Sequence, residues 1–145
     1  PSAHRTAVDL TACYPAEASV KRLVRHVWLS GKRLVVVADQ VEAEKPPQAI
    51  YHWHAAREAA WWFDAGWALI TLGGARLWLT SSQGGLSGTD LHRLPGSRGQ
   101  LSLVSRIDVT SPVVWWDFVL AADRPTLEVE REGQHIRLLD ETFRV

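Results

Sequence analysis

Hydrophobic and polar residues alternate with a period of two along most of this chain, the rhythm of β-strands rather than of helices. Leu101, Leu103, Ser105, Ile107 and Val109 alternate with Ser102, Val104, Arg106, Asp108 and Thr110, which predicts a strand with one wet face. Leu127 and Val129 alternate with Thr126, Glu128 and Glu130, and Ile136 and Leu138 follow a Glu132–Gly133 turn signal. A hairpin is expected there. The run from Arg33 to Val41 is apolar on both faces, as befits a central strand. The same rhythm places further strands at about 5–12, 20–29, 48–55, 58–63, 66–72, 75–82, 113–121 and 142–145.

No segment carries a helical stripe. His54 to Phe63 starts Ala-rich, like a turn of helix, but the pair Trp61–Trp62 favours strand. Turn chemistry separates the strands at Ser30–Gly31, Glu44 to Pro47, Gly73–Gly74 and Asp123 to Pro125. Many short strands joined this way predict an all-β, antiparallel, multi-stranded β-sandwich forming a single domain over residues 1–145. The stretch Gln83 to Gln100 holds Gly84, Gly85 and Gly88. A phosphate-binding loop would need a helix after them, with its N-terminus facing the phosphate. Pro95–Gly96 forbids one, so a flexible surface loop is expected.

Composition narrows the picture. Of 145 residues 46% are hydrophobic and 22% charged, a globular balance. Net charge is zero, so the basic footprint of a nucleic-acid-binding protein is missing. No apolar run approaches the roughly 20 residues of a membrane-spanning helix. The chain begins at Pro1 and contains no Met, which leads us to expect a piece of a longer protein. Cys13 is the single cysteine. It excludes an internal disulfide and a cysteine-based zinc finger, and is expected to be a buried, inert thiol. Eight Trp in so short a chain imply core anchors and invite a search for stacking surfaces.

Two sets of residues bear on chemistry. His52 and His54 lie two apart on a strand and therefore share a face, where their imidazoles can converge on one ion. Asp39 closes the apolar strand, and histidine with carboxylate suits zinc. The plainer alternative makes Asp39 a turn cap and the histidines rim residues. The second set is aromatic. If Val114, Trp116, Phe118 and Leu120 form the core face of their strand, Trp115 shares a wet face with Asp117. Likewise Ala75, Leu77 and Leu79 pointing inward leave Arg76, Trp78 and Thr80 outward. Trp115, Trp78 and Arg76 are thus candidates for stacking a sugar ring, for packing another domain, or for a second-sheet core. No Gly-x-Ser-x-Gly elbow occurs, so a hydrolase triad has no support. The carboxylate pairs Asp117/Asp123 and Glu128/Glu130 sit on turns or a solvated face, which does not make a glycosidase.

The segment Lys21 to Ala55, KRLVRHVWLSGKRLVVVADQVEAEKPPQAIYHWHA, resembles the C-terminal part of heparinase II/III-like polysaccharide lyases. An Arg-bearing strand precedes a Gly turn, a hydrophobic strand ends in Val-x-Asp, and a Pro-containing loop leads to a strand closing on an aromatic and a His. The matching residues are Arg25, Gly31, Val37, Asp39, Val41, Pro46, Trp53 and His54. The resemblance implies a parent built from an N-terminal α/α toroid and a C-terminal β-sandwich, acting on acidic polysaccharide by β-elimination. A base removes the C5 proton of a uronic acid, a group neutralises the carboxylate, and an acid assists the leaving oxygen.

In that family the Tyr and Asn come from the toroid, and the catalytic His lies with a zinc-ligand His in an early His-x-His strand. Here only His4, followed by Arg5, stands near that place. No catalytic residue is therefore assigned to this chain, which is expected to be inactive without its toroid. The resemblance places Asp39 and His54 at the other two zinc ligands, making zinc the implied cofactor, and puts such enzymes in the periplasm or outside the cell. The alternative is a non-catalytic carbohydrate-binding or structural module.

Overall fold

The computed structural model describes residues 4–30, 34–45, 49–81, 86–93, 100–107, 113–122, 130–132, 135–138 and 141–144. They form thirteen strands: β1 (His4–Asp9), β2 (Val20–Ser30), β3 (Leu34–Ala43), β4 (Ala49–His54), β5 (Ala60–Asp64), β6 (Trp67–Leu72), β7 (Ala75–Thr80), β8 (Leu91–Arg93), β9 (Leu101–Ile107), β10 (Val113–Ala121), β11 (Glu130–Glu132), β12 (His135–Leu138) and β13 (Glu141–Arg144). All pairings are antiparallel. The fold is all-β, as the alternation predicts.

Seven strands form one sheet in the order β1-β2-β3-β10-β7-β6-β5, and β4-β9-β8 and β11-β12-β13 form two smaller ones. β3 lies between β2 and β10, the central place that its two-faced apolar run requires. The four-strand run β5-β6-β7 and β10 is stitched by local turns and one long-range insertion. Gly73 and Gly74 both hold positive φ, at 54° and 86°, the geometry of a two-residue hairpin turn between β6 and β7. Ala65 (φ 45°) and Gly66 (φ 79°) make the corresponding turn between β5 and β6.

Both faces of the large sheet carry buried side chains. Toward β4-β9-β8, Ala68, Leu79, Leu86 and Leu103 form a cluster with Tyr51, Trp53, Trp61, Phe63, Leu91 and Leu120 packed against it. Beside it, Leu23 and Val41 pack with Leu10, Val20 and Tyr51. These side chains come from both sheets, which makes the two layers of a sandwich. The opposite face of the large sheet carries Trp28, Val36, Ala38, Trp67 and Val119, with Leu34 and Trp78 against them. Each fully buried aliphatic side chain contributes about 1.5–3 kcal/mol.

Several sequence expectations need correction. Ser102 and Val104 are buried, so that face of β9 is not wet. Thr80 and Val119 are buried too, so the supposed outer faces of β7 and β10 are covered at these two positions, while Arg76 on the same face of β7 is exposed. Within the expected loop, Leu86 is buried and residues Gly88–Asp90 make a 3-10 turn leading into β8; Gly84 and Gly85 lie outside the described residues. β1 ends at Asp9, and Thr11–Cys13 is a 3-10 turn. Cys13 is exposed rather than buried. The expected C-terminal hairpin forms as β11 against β12; Leu127 and Val129 lie outside the described residues.

Candidate functional site

Among the described residues a closely coupled polar cluster gathers around Asp39. Antiparallel register sets Arg25 of β2 directly opposite Asp39 of β3, so the two side chains emerge on one face as neighbours. Arg25 Nε donates to Oδ1 at 2.8 Å and Nη2 donates to Oδ2 at 2.8 Å, the bidentate fork that guanidinium and carboxylate geometry favours. Tyr51 reaches across from β4 in the other sheet, and its hydroxyl donates to Oδ2 at 2.5 Å. Asp39 is only 2% exposed. A buried carboxylate is costly unless paired and hydrogen-bonded, and here both oxygens are occupied.

This arrangement decides protonation. Burial first, then the Asp39 charge and hydrogen bond, push the Tyr51 phenol far above its ordinary range. The Asp39 hydrogen bond likewise raises Arg25 beyond its already high value. Tyr51 is therefore a neutral donor and Arg25 a permanent cation. Neither is poised to accept a proton, and their hydrogen bonds to Asp39 join the two sheets.

Asp39, His52 and His54 are not brought together. Alternation along β4 turns Tyr51 and Trp53 into the core, and therefore turns His52 and His54 outward, where both are exposed. The two rings do share a face, with centroids 6.0 Å apart. Asp39 lies on the inner side of the facing sheet, bonded to Tyr51. Among the described residues no group of three or more His, Cys, Asp or Glu could hold a metal ion.

The zinc implied by the resemblance does not fit these residues. A divalent ion about 4 Å from the Arg25 guanidinium would be repelled by about 8 kcal/mol at an effective dielectric near 20. Its ligand oxygens on Asp39 are already committed to donors.

The aromatic candidates also part company. Trp78 is half-buried and packs against the Trp28–Trp67 cluster, while Arg76 of the same strand is exposed. Trp78 pairs with Ala121 on β10, and Trp115 lies six residues away on that strand, opposite Gln40 of β3. At about 3.3 Å per residue their backbones stand roughly 20 Å apart along the strand, too far for one sugar ring; the Trp115 side chain lies outside the described residues. Among the described residues the open indole is instead Trp62, 65% exposed. Trp62 pairs with Leu69, which pairs with Trp78, so Trp62 extends the same face toward the edge strand.

On that face too, Arg5 Nη2 lies 3.0 Å from His26 Nδ1 and the guanidinium sits 5.5 Å from the Trp28 ring centroid. His26 stacks on Trp28 at 5.6 Å. Burial first, and then the Arg5 charge, lower the His26 pKa.

Sequence reasoning passed over Tyr51 and Trp62. The signal for Tyr51 was present: Tyr51 and Trp53 are the bulky alternate set of β4, and bulk faces the core. Trp62 had no such signal, because neighbouring Trp61 and Trp62 differ only in parity.

Comparison with solved structures matches this architecture over nearly the whole chain. A heparinase III superposes with a TM-score of 0.66 at 13% identity, covering 97% of this chain and 25% of that one. The chain has a heparinase-like fold. A mutant of the heparan sulfate lyase HepC from Pedobacter heparinus superposes with a TM-score of 0.61 at 13% identity, covering 88% of this chain and 24% of that one. The chain thus spans about a quarter of the length of either protein. No family model and no curated protein matches its sequence.

Proposed function

We propose that this heparinase-like chain is the C-terminal β-sandwich of a larger polysaccharide lyase, whose remaining part is an α/α toroid. The parent cleaves acidic, uronic-acid-containing polysaccharide by β-elimination in the periplasm or outside the cell, and the sandwich alone does not turn over substrate. The observation that carries this reading is the fold likeness across 97% of the chain but only 25% of a heparinase III. The Asp39 cluster agrees with it. The raised pKa values of its phenol and guanidinium suit neither group to act as the base for C5. Among the described residues no helix is long and apolar enough to cross a membrane.

The test is to incubate the full parent and the 145-residue chain separately with heparan sulfate, hyaluronan and alginate, following the ultraviolet absorbance of the unsaturated product. Activity in the parent and none in the chain is expected. Product formation by the chain alone, or saturated products from the parent, would refute the proposal. A second reading, a carbohydrate-binding or domain-packing face, is favoured by the exposed Trp62 on the same sheet face as Trp78 and Arg76. Titration of Trp fluorescence with oligosaccharides would show a response lost in Trp62→Ala if that face binds sugar.

A further inference from the structure

We propose that Arg25 supplies, as a permanent part of the chain, the positive charge that a bound metal ion would otherwise bring to Asp39. The two sheets are then joined by a guanidinium, and the protein folds without metal. Three observations converge. The cation is placed by register, since Arg25 and Asp39 are cross-strand partners. Both oxygens of the carboxylate are engaged: Nε on Oδ1, and both Nη2 and the Tyr51 hydroxyl on Oδ2, all within 2.8 Å. The third donor comes from the opposite sheet, from the residue at which the aromatic face of β4 meets Val41 and Leu23.

His54, the residue that the resemblance assigns to a metal, lies on the other side of β4 and cannot compete for Asp39. Arg25 and Tyr51 therefore occupy the two directions from which protein ligands would approach an ion held by Asp39. An imidazole nitrogen with a metal bond of about 2.0–2.1 Å spans a length similar to that of a phenol. Replacing both residues by histidine should thus convert the organic junction into a metal-dependent one. The inference rests on side-chain geometry and does not depend on the lyase reading.

The experiment measures zinc content and thermal unfolding of the untagged protein, with and without EDTA, and repeats both for Arg25→His/Tyr51→His. The native protein is expected to carry well under one equivalent of zinc and to melt at the same temperature in chelator. The double variant is expected to melt several degrees higher in excess zinc than in EDTA, because a ligand that binds only the folded state stabilises it. Stoichiometric zinc in the native protein, removed by EDTA with a fall in Tm, would overturn the inference. A folded double variant indifferent to zinc would do the same. If the double variant does not fold, the native metal content and chelator response decide alone. Lyase assays do not enter this readout, so loss of the functional proposal would leave it standing.

Discussion

Removing the Arg25 guanidinium while keeping its aliphatic bulk, as in Arg25→Met, leaves Asp39 buried with a single donor from Tyr51. Breaking a buried pair from one side costs about 3–5 kcal/mol, because the surviving charge is uncompensated. The Arg25 side chain is 40% exposed while that of Asp39 is 3% exposed. Solvent already screens one partner, so the lower end, about 3 kcal/mol, is expected. For a chain of this length that corresponds to a fall in Tm of roughly 6–12 °C. The second leg of a double-mutant cycle, Arg25→Met with Asp39→Leu, removes both charges and should recover at least half of the loss. Urea unfolding of the native protein, both single variants and the double variant yields the coupling directly. A loss below about 1 kcal/mol for Arg25→Met would place the pair among surface ion pairs. It would refute the argument that Asp39 is a desolvated charge held by its neighbours.

Four further outcomes follow from other parts of the molecule. Leu79 is fully buried between the two sheets, and Leu79→Ala should cost about 3–5 kcal/mol in denaturant unfolding. Ala65 holds φ at 45° in the β5–β6 turn, so Ala65→Gly should stabilise by about 0.5–1 kcal/mol. Gly73→Ala, at φ 54° with no atom within 4 Å of the added Cβ, should destabilise by a similar amount through backbone strain alone. The lowered His26 pKa means that the unfolded chain binds the proton more readily. The His26 contribution is therefore present above about pH 6.5 and declines as pH falls through the folded-state value. Melting curves from pH 8 to 5 should lose part of their slope in His26→Gln; an unchanged slope would contradict that assignment.

Much of the architecture could be read without coordinates. Period-two alternation identified most of the strands, the paired glycines 73 and 74 identified a turn, and the two-faced run ending at Val41 identified the central strand. Those features are local, because strand parity and turn conformation depend on residues a few positions apart. The resemblance carried by Lys21 to Ala55 likewise pointed to the fold that superposition recovers over 97% of the chain.

What the sequence could not decide was which faces would meet. His52 and His54 share a face by parity alone, but only the placement of β4 in a separate sheet turns that face away from Asp39 and delivers Tyr51 to it. Val119, packed with Trp28, Val36 and Trp67, and its cross-strand partner Thr80 are buried, where alternation had left a wet side. The physical reason is the same in each case. A strand's own residues fix its pleat, whereas long-range pairing decides which side of that pleat meets another layer and which charge finds a partner there.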